Sequence, residues 1–270
     1  MKFLTFVEVD LRKIIPFLIG LYTLAILGFQ GMFYNTLADM KSELIKGAMN
    51  SNIQMDEYVK TIDKISLASL LDAQPYPVLI VTFIGMALIL TGFYLWYKEW
   101  FGASKRIYTL LSIRGSRMRI FSSKLVTFLF VFIAYYGVLL LNLYVASLMM
   151  NIILPNGVVA DNLLQNTILH SFFVSLIIPD SIASLFFHLA FIIMIFAILS
   201  VSVLLDRSKR IWGLISGVVY IIASISVFIY INTLDLYTDE RLYMNWAFVG
   251  VFMFISTIVS SYLINKKVSI

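Results

Sequence analysis

The chain has 270 residues, of which 61% are hydrophobic and 13% are charged, and its formal net charge is +5. Soluble domains average about 45–50% apolar and about 25% charged residues, so this composition excludes an ordinary soluble protein and predicts an integral membrane protein. The chain contains no cysteine, which excludes disulfides, zinc–thiolate sites and thiol nucleophiles.

The first thirteen residues are charged and amphipathic. One helical face carries Phe3, Leu4, Val7 and Leu11, and another carries Lys2, Thr5, Glu8 and Arg12. This spacing predicts a separate interfacial helix over residues 1–13, lying on the inner leaflet. The alternative is a frayed polar tail before the first membrane span.

Six charge-free runs are long enough to cross a bilayer, which needs about 20 mostly apolar residues. They predict membrane spans at about 14–36, 76–97, 125–150, 181–205, 211–233 and 243–264. A seventh run, 162–179, is shorter and contains polar residues such as Asn166 and His170. We therefore predict that the polar hairpin 155–179 lies in or on the membrane without crossing it.

The positions of the basic residues predict the orientation of these spans. With six spans and an inner N-terminus, 15 of the 20 Lys and Arg residues fall in inner segments. The positive-inside rule then places both termini and the loop 98–124 in the cytoplasm, and the loop 39–72 outside. The sequence thus predicts an all-α, multi-pass fold with one transmembrane domain over residues 1–270. Interfacial anchors are expected at Trp96, Tyr97, Trp100, Trp212, Tyr243 and Trp246.

The outer loop has a helical pattern of its own between residues 55 and 70. Its predicted apolar face contains Met55, Tyr58, Val59, Ile62, Ile65, Ser66, Ser69 and Leu70. Packing of this face against the chain's own helices is favoured, because loop helices with one apolar face are common. A lid or a surface for a partner is the alternative.

Motifs for the common catalytic sites are missing. No Gly is followed by Lys, which excludes the phosphate-binding loop that carries such a lysine. The two histidines, His170 and His188, form no H-E-x-x-H pair, and no G-x-S-x-G motif is present. We therefore predict that the chain is not an enzyme, and that it holds no catalytic residue, metal or cofactor.

The predicted spans contain no Asp, Glu, Lys or Arg in their interiors, which argues against an ion-driven carrier. Their polar and aromatic positions give a candidate substrate path at Tyr135, Asn142, Tyr144 and His188. The same side chains could instead tie helices together.

Gly213 and Gly217 form a G-x-x-x-G pattern, for which packing within the chain is favoured.

The inner loop 98–124 carries the most specific pattern, with seven Lys or Arg residues and a single acid, Glu99. The pattern includes Glu99, Gly102 and Tyr108-Thr-Leu-Leu-Ser-Ile-Arg-Gly-Ser-Arg117. Together with the six spans and inner termini, it resembles the permease subunits of type-2 ABC exporters, which often have a Leu-Leu-small-Leu-Pro-x-Ser-Arg-x-x-Ile…Lys-Leu run here. The matching residues are Leu110, Leu111, Ser112, Ser116, Arg117, Ile120, Lys124 and Leu125, whereas Arg114 stands where the family often has proline.

This resemblance implies that residues 1–13 form an elbow helix, and that residues 104–113 form a coupling helix that docks on a separate ABC ATPase subunit. The implied docking residues are Lys105, Arg106, Ile107, Tyr108, Leu110, Leu111, Arg114 and Arg117. Two permease copies, identical or different, and two ATPases would form the transporter, with ATP and Mg bound by the ATPase.

The implied activity is export of a lipophilic or amphipathic substrate, such as a peptide, toxin, antibiotic or lipid-linked molecule, across a bacterial cell membrane. Contacts with membrane lipid are expected, and contacts with nucleic acid are not. For the basic residues alone, positive-inside bias and contact with anionic lipid are the favoured explanation. The alternative function is a non-pumping immunity or receptor protein that binds a peptide through the outer loop 39–72.

Overall fold

A computed structural model describes residues 3–101, 117–175, 177–179, 181–209 and 211–267. In these residues the regular structure is helical apart from one isolated β-bridge, which confirms the predicted all-α class. The helices are α1 (Phe3–Asn50), α2 (Met55–Thr61), α3 (Leu67–Ala73), α4 (Tyr76–Phe101), α5 (Met118–Ile153), α6 (Leu163–His170), α7 (Phe172–Ser175), α8 (Ile182–Lys209), α9 (Ile211–Thr233) and α10 (Thr238–Tyr262). A π-helical turn, Leu263–Lys267, follows α10.

Six of the described helices, α1, α4, α5, α8, α9 and α10, are long and apolar enough to span a membrane. Each overlaps most or all of one of the six predicted spans, which supports the prediction of a multi-pass membrane protein. The polar hairpin is built from α6 and α7, which have eight and four residues. Helices this short cannot cross about 30 Å of hydrocarbon, so the prediction that the hairpin does not span is confirmed.

Helix α1 differs from its prediction at both ends. Its 48 residues run without a break, so residues 3–13 continue directly into the first span and no separate elbow helix is present in the described residues. At 1.5 Å per residue α1 is about 72 Å long, more than twice the hydrocarbon thickness. Its last turns therefore form the first part of the predicted outer loop.

Continuous packing explains why α1 does not break after residue 13. Val7, Asp10 and Ile14 recur every three or four residues and are all buried, so one face of the helix packs through the predicted boundary. Pro16 lies inside the helix and removes one backbone donor there, but the helix continues past it.

The described chain packs as two compact units. The first is built from Met1–Ile15, Met86–Phe132 and Ala183–Ile270, and the second from Pro16–Gly85 and Ile133–Ile182. Helices α1, α4 and α5 contribute residues to both units. The single transmembrane domain predicted over the whole chain therefore contains two packing units.

In the second unit, the predicted outer loop contains two short helices, α2 and α3, where one helical face was predicted. Ile65 lies between α2 and α3 and forms a parallel bridge with Val159, while the Ser66 hydroxyl accepts a hydrogen bond from the Ser69 amide and caps α3. The capping serine favours a new helix start at this point, and the β-branched Ile62 and Ile65 before it suit the extended backbone. The buried residues of this segment include Val59, Leu67, Leu70 and Leu71, which pack in one core with Phe33 and Leu37 of α1. The favoured interpretation, packing against the chain's own helices, is confirmed.

Two side chains of the predicted outer loop, those of Lys64 and Asp72, form polar contacts with the polar hairpin. Lys64 Nζ lies 2.9 Å from Asp161 Oδ2, and this hydrogen bond holds the pKa of the Asp161 carboxyl below its ordinary value. The Asp72 carboxylate accepts bonds from the Ser171 hydroxyl at 2.8 Å and from the backbone amides of Phe172 and Phe173 at 3.0 Å. Asp72 thus caps the start of α7 from another part of the chain.

We expect Asp72→Ala to lower the free energy of unfolding by about 0.5–2 kcal/mol, the usual cost of removing a helix cap. Reversible unfolding in mixed micelles measures this change. Asp39→Ala is the matched control, since Asp39 is also an exposed acid of the second unit. Equal stability of the two variants would show that the Asp72 contacts do not hold the hairpin.

Candidate functional site: a buried charge network on three helices

Four charged side chains from three helices meet in the first unit. Asp10 and Lys13 belong to α1, Glu99 to α4 and Lys124 to α5; we call these four residues the charge network. Lys13 Nζ lies 2.8 Å from Glu99 Oε1, and Lys124 Nζ lies 3.6 Å from Asp10 Oδ2. The side chains of Lys124, Glu99 and Asp10 are only 1%, 3% and 9% exposed. Two carboxylates and two ammonium groups therefore balance their charge, with three of the side chains buried and that of Lys13 28% exposed.

Helical spacing accounts for the α1 half of the network. Asp10 and Lys13 are three positions apart, so they lie on neighbouring points of one helix face. Asp10 lies on the same buried face as Val7 and Ile14. The carboxylate is thus carried inward by the apolar residues on either side of it.

Lys124 is the most enclosed member of the network. Its ammonium donates a hydrogen bond to the Leu95 carbonyl at 2.7 Å and lies 5.5 Å from the centre of the Trp96 ring. An ammonium over an indole face is attracted by the negative charge of that face. Lys124 therefore joins the start of α5 both to α1, through Asp10, and to the last turns of α4.

Trp96 extends these contacts to α8. Its indole N–H donates to the Ser200 hydroxyl at 2.9 Å, and the residue is 1% exposed. The prediction that Trp96 anchors the protein at the membrane surface is therefore wrong, since the ring is packed inside the helix bundle. Trp212 and Tyr243, which were predicted in the same way, are largely exposed.

A second polar cluster joins the last turns of α4 to α8. The Tyr97 hydroxyl donates to Asp206 Oδ2 at 3.1 Å, and Arg207 Nε lies 3.3 Å from the same oxygen. The Arg207 guanidinium carbon lies 5.2 Å from the Tyr97 ring centre and 5.7 Å from that of Trp100. The final turns of α4 are thus fixed on two sides, by the charge network and by α8.

Most of the predicted docking residues lie outside the described part of the chain. These are Lys105, Arg106, Ile107, Tyr108, Leu110, Leu111 and Arg114, and the predicted coupling helix 104–113 lies there with them. Arg117 is described, and its guanidinium donates to the Ile264 carbonyl at 3.1 Å. This predicted docking residue therefore ties the start of α5 to the turn after α10.

Three residues of the predicted substrate path, Tyr135, Asn142 and Tyr144, belong to the second unit. The Tyr135 hydroxyl donates to the Val81 carbonyl at 3.3 Å, and Gln30 donates to both oxygens of Asn142 at 2.9 and 3.0 Å. These two side chains connect helices within the unit, whereas Tyr144 is 51% exposed. A substrate path through them stays a prediction.

The fourth residue of that path, His188, belongs to α8 in the first unit. Its Nδ1 lies 2.8 Å from the Ser184 carbonyl oxygen and 3.4 Å from the Ser184 hydroxyl, one turn earlier in the same helix. These two contacts of His188 are therefore made within its own helix.

Sequence reasoning missed the charge network, although one signal was present. Glu99 is the single acid in a segment with seven basic residues, and an isolated opposite charge in such a segment favours a specific partner. Nothing in the sequence showed that this partner is Lys13 or that Asp10 faces Lys124, because these pairs are separated by long stretches of chain.

Within the described residues, no group of three or more His, Cys, Asp or Glu residues is arranged to hold a metal ion. Comparisons with protein-family models, with curated proteins and with solved structures give no match.

Proposed function

We propose that this chain is the membrane-spanning permease subunit of a type-2 ABC exporter. In this proposal a separate ATPase subunit docks on residues 104–113 and hydrolyses ATP, and a second permease copy completes the transporter. The observation that carries the proposal is the charge network, because its α4 and α5 members lie on the two helices that flank the predicted docking segment. Six membrane-spanning helices and the lack of a phosphate-binding loop support it.

The contacts on either side of the docking segment suit the transmission of force. Glu99 and Trp96 hold the last turns of α4, while Lys124 and Arg117 hold the first turns of α5. Buried ion pairs cannot separate without leaving charges in a low-dielectric interior, which costs several kcal/mol. A push on the docking segment would therefore move α4 and α5 together with α1, without opening the contacts among them.

The source of energy and the class of substrate follow from the spans. Their interiors carry no Asp, Glu, Lys or Arg, so the chain lacks the charged groups that ion-driven carriers commonly use at membrane depth. A partner that hydrolyses ATP supplies the energy in this proposal. A lipophilic or amphipathic substrate fits the apolar spans, and the proposed location is a bacterial cell membrane with both termini in the cytoplasm.

The proposed docking of the ATPase can be tested by placing negative charges in the apolar docking surface. We expect Leu110→Asp/Leu111→Asp to abolish co-purification with the ABC ATPase encoded beside the chain and to return its ATPase rate to that of the free subunit, because two carboxylates would be buried against an apolar groove. Pull-down and phosphate release measure the two effects.

Tyr237→Asp is the control for an added carboxylate away from the docking segment, since Tyr237 is an exposed aromatic residue between α9 and α10. It should leave both readouts unchanged. If the double variant retains full association and a full ATPase rate, the docking role is wrong. Full transport activity of the purified chain without any ATPase would contradict the proposed function as a whole.

A further inference from the structure

The first unit contains an apolar cavity that the charge network does not explain. Its volume is about 300 Å³, and it lies among α8, α9 and α10, with Ile89 of α4 completing the wall. This volume is at the lower end of the range for pockets that hold small molecules. The cavity is therefore large enough to bind a small molecule or part of a larger one.

The residues that line the cavity favour an apolar ligand. Ser224 is the one polar residue that lines the cavity, and its hydroxyl donates to the Tyr220 carbonyl of the same helix at 2.7 Å. The rings of Phe228, Phe191 and Phe248 form one side, with Phe228 5.6 Å from each of the other two ring centres. Cavities with such walls exclude water and accept hydrocarbon.

The cavity borders the outer surface of α9. Ile225 lines it and is 53% exposed, and Ile222 and Ile229, about one turn away on either side, are exposed as well. These residues are in the middle of a membrane-spanning helix, so the surrounding medium is lipid hydrocarbon. A lipid chain can therefore reach the cavity directly from the bilayer.

We propose that this cavity binds one acyl chain of a membrane lipid, which enters beside Ile225. The one polar wall residue, Ser224, already donates its hydroxyl hydrogen to Tyr220, so the walls suit the hydrocarbon chain and the headgroup stays at the membrane surface. This inference does not depend on the exporter proposal, because it uses the apolar walls and the membrane setting alone.

The experiment uses the full chain in phosphatidylcholine nanodiscs that contain a phosphatidylcholine with a photoactivatable diazirine on one acyl chain. After irradiation, mass spectrometry should find more cross-links at the cavity residues Met194, which is buried, and Phe228, which is partly buried, than at Ile222, which is exposed and lies outside the cavity. Equal labelling of all three would indicate ordinary surrounding lipid and would overturn the proposal.

Two variants close the cavity from different positions. Ile225→Trp places a ring at the exposed edge and should lower cross-linking at Met194 roughly tenfold, equivalent to about 1.4 kcal/mol of binding free energy. Ile221→Phe fills the cavity from the wall and should act in the same direction. Ile222→Trp is the control and should leave the labelling unchanged. Undiminished labelling in folded Ile225→Trp or Ile221→Phe would contradict the proposal, as would labelling of the cavity by a lipophilic small-molecule probe but not by the acyl probe.

Discussion

Lys124→Ala is expected to lower the free energy of unfolding by about 3–5 kcal/mol, the usual cost of removing one partner of a buried ion pair. The substitution removes the ammonium that faces the Asp10 carboxylate, the hydrogen bond to the Leu95 carbonyl and the contact with the Trp96 ring. The carboxylate is left in a site that was shaped for a charge pair. Reversible unfolding in mixed micelles measures the loss.

A second variant separates the charge pair from simple packing. Asp10→Asn combined with Lys124→Met removes both charges and keeps similar shapes, so we expect it to be more stable than Lys124→Met alone, in which Asp10 lacks the Lys124 ammonium. Lys46→Ala is the matched control, since Lys46 is exposed on α1, and it should change stability by less than about 0.5 kcal/mol. A Lys124→Ala variant as stable as this control would show that the network does not hold the three helices.

Gly213→Val is expected to destabilise the contact between α8 and α9 by about 4 kcal/mol or more, which places it among the most severe single substitutions. A Cβ atom at Gly213 would lie 1.9 Å from the Leu205 carbonyl oxygen and 2.5 Å from its carbonyl carbon. Both atoms belong to backbone, so the helices themselves must separate. Thermal unfolding followed by helical circular dichroism measures the effect.

Gly250→Ala is the control for this substitution, because a Cβ there meets nothing within 4 Å. Replacing glycine by alanine inside a helix should stabilise the protein by about 0.5–1 kcal/mol in that case. The sequence favoured packing within the chain for the pair Gly213 and Gly217, and the close approach to Leu205 and Ser202 of α8 confirms it. Gly213→Ala as stable as Gly250→Ala would contradict the close contact.

The sequence predicted the spans well because membrane thickness limits their length. Charge-free runs of the required length identified six helices, and the polar residues of 162–179 correctly excluded a seventh. The length of α1 was missed for a related reason. A change from amphipathic to apolar residues marks where a membrane begins, but it does not end a helix, and Pro16 did not end it either.

The charge network was beyond the reach of sequence reasoning because it depends on pairs far apart in the chain. Asp10 and Lys124 belong to helices whose packing partners the sequence does not identify. Trp96 was misassigned for the same reason: its position near a span end suggested a surface location, but only the packing of α8 shows that its N–H meets Ser200 inside the bundle. Local sequence patterns were enough to predict the helices, but the charge network is formed by contacts between helices that such patterns do not reveal.

The short helix α9 makes this protein sensitive to bilayer thickness. Its 23 residues extend about 34 Å, close to the hydrocarbon thickness of a typical membrane. It begins two positions after α8 ends and is followed closely by α10, so it has little freedom to tilt and relieve a hydrophobic mismatch. A thicker or thinner membrane would therefore strain the close contact between Gly213 and the Leu205 backbone. A change in lipid composition that alters membrane thickness would thus change the packing of α9 against α8 in the first unit.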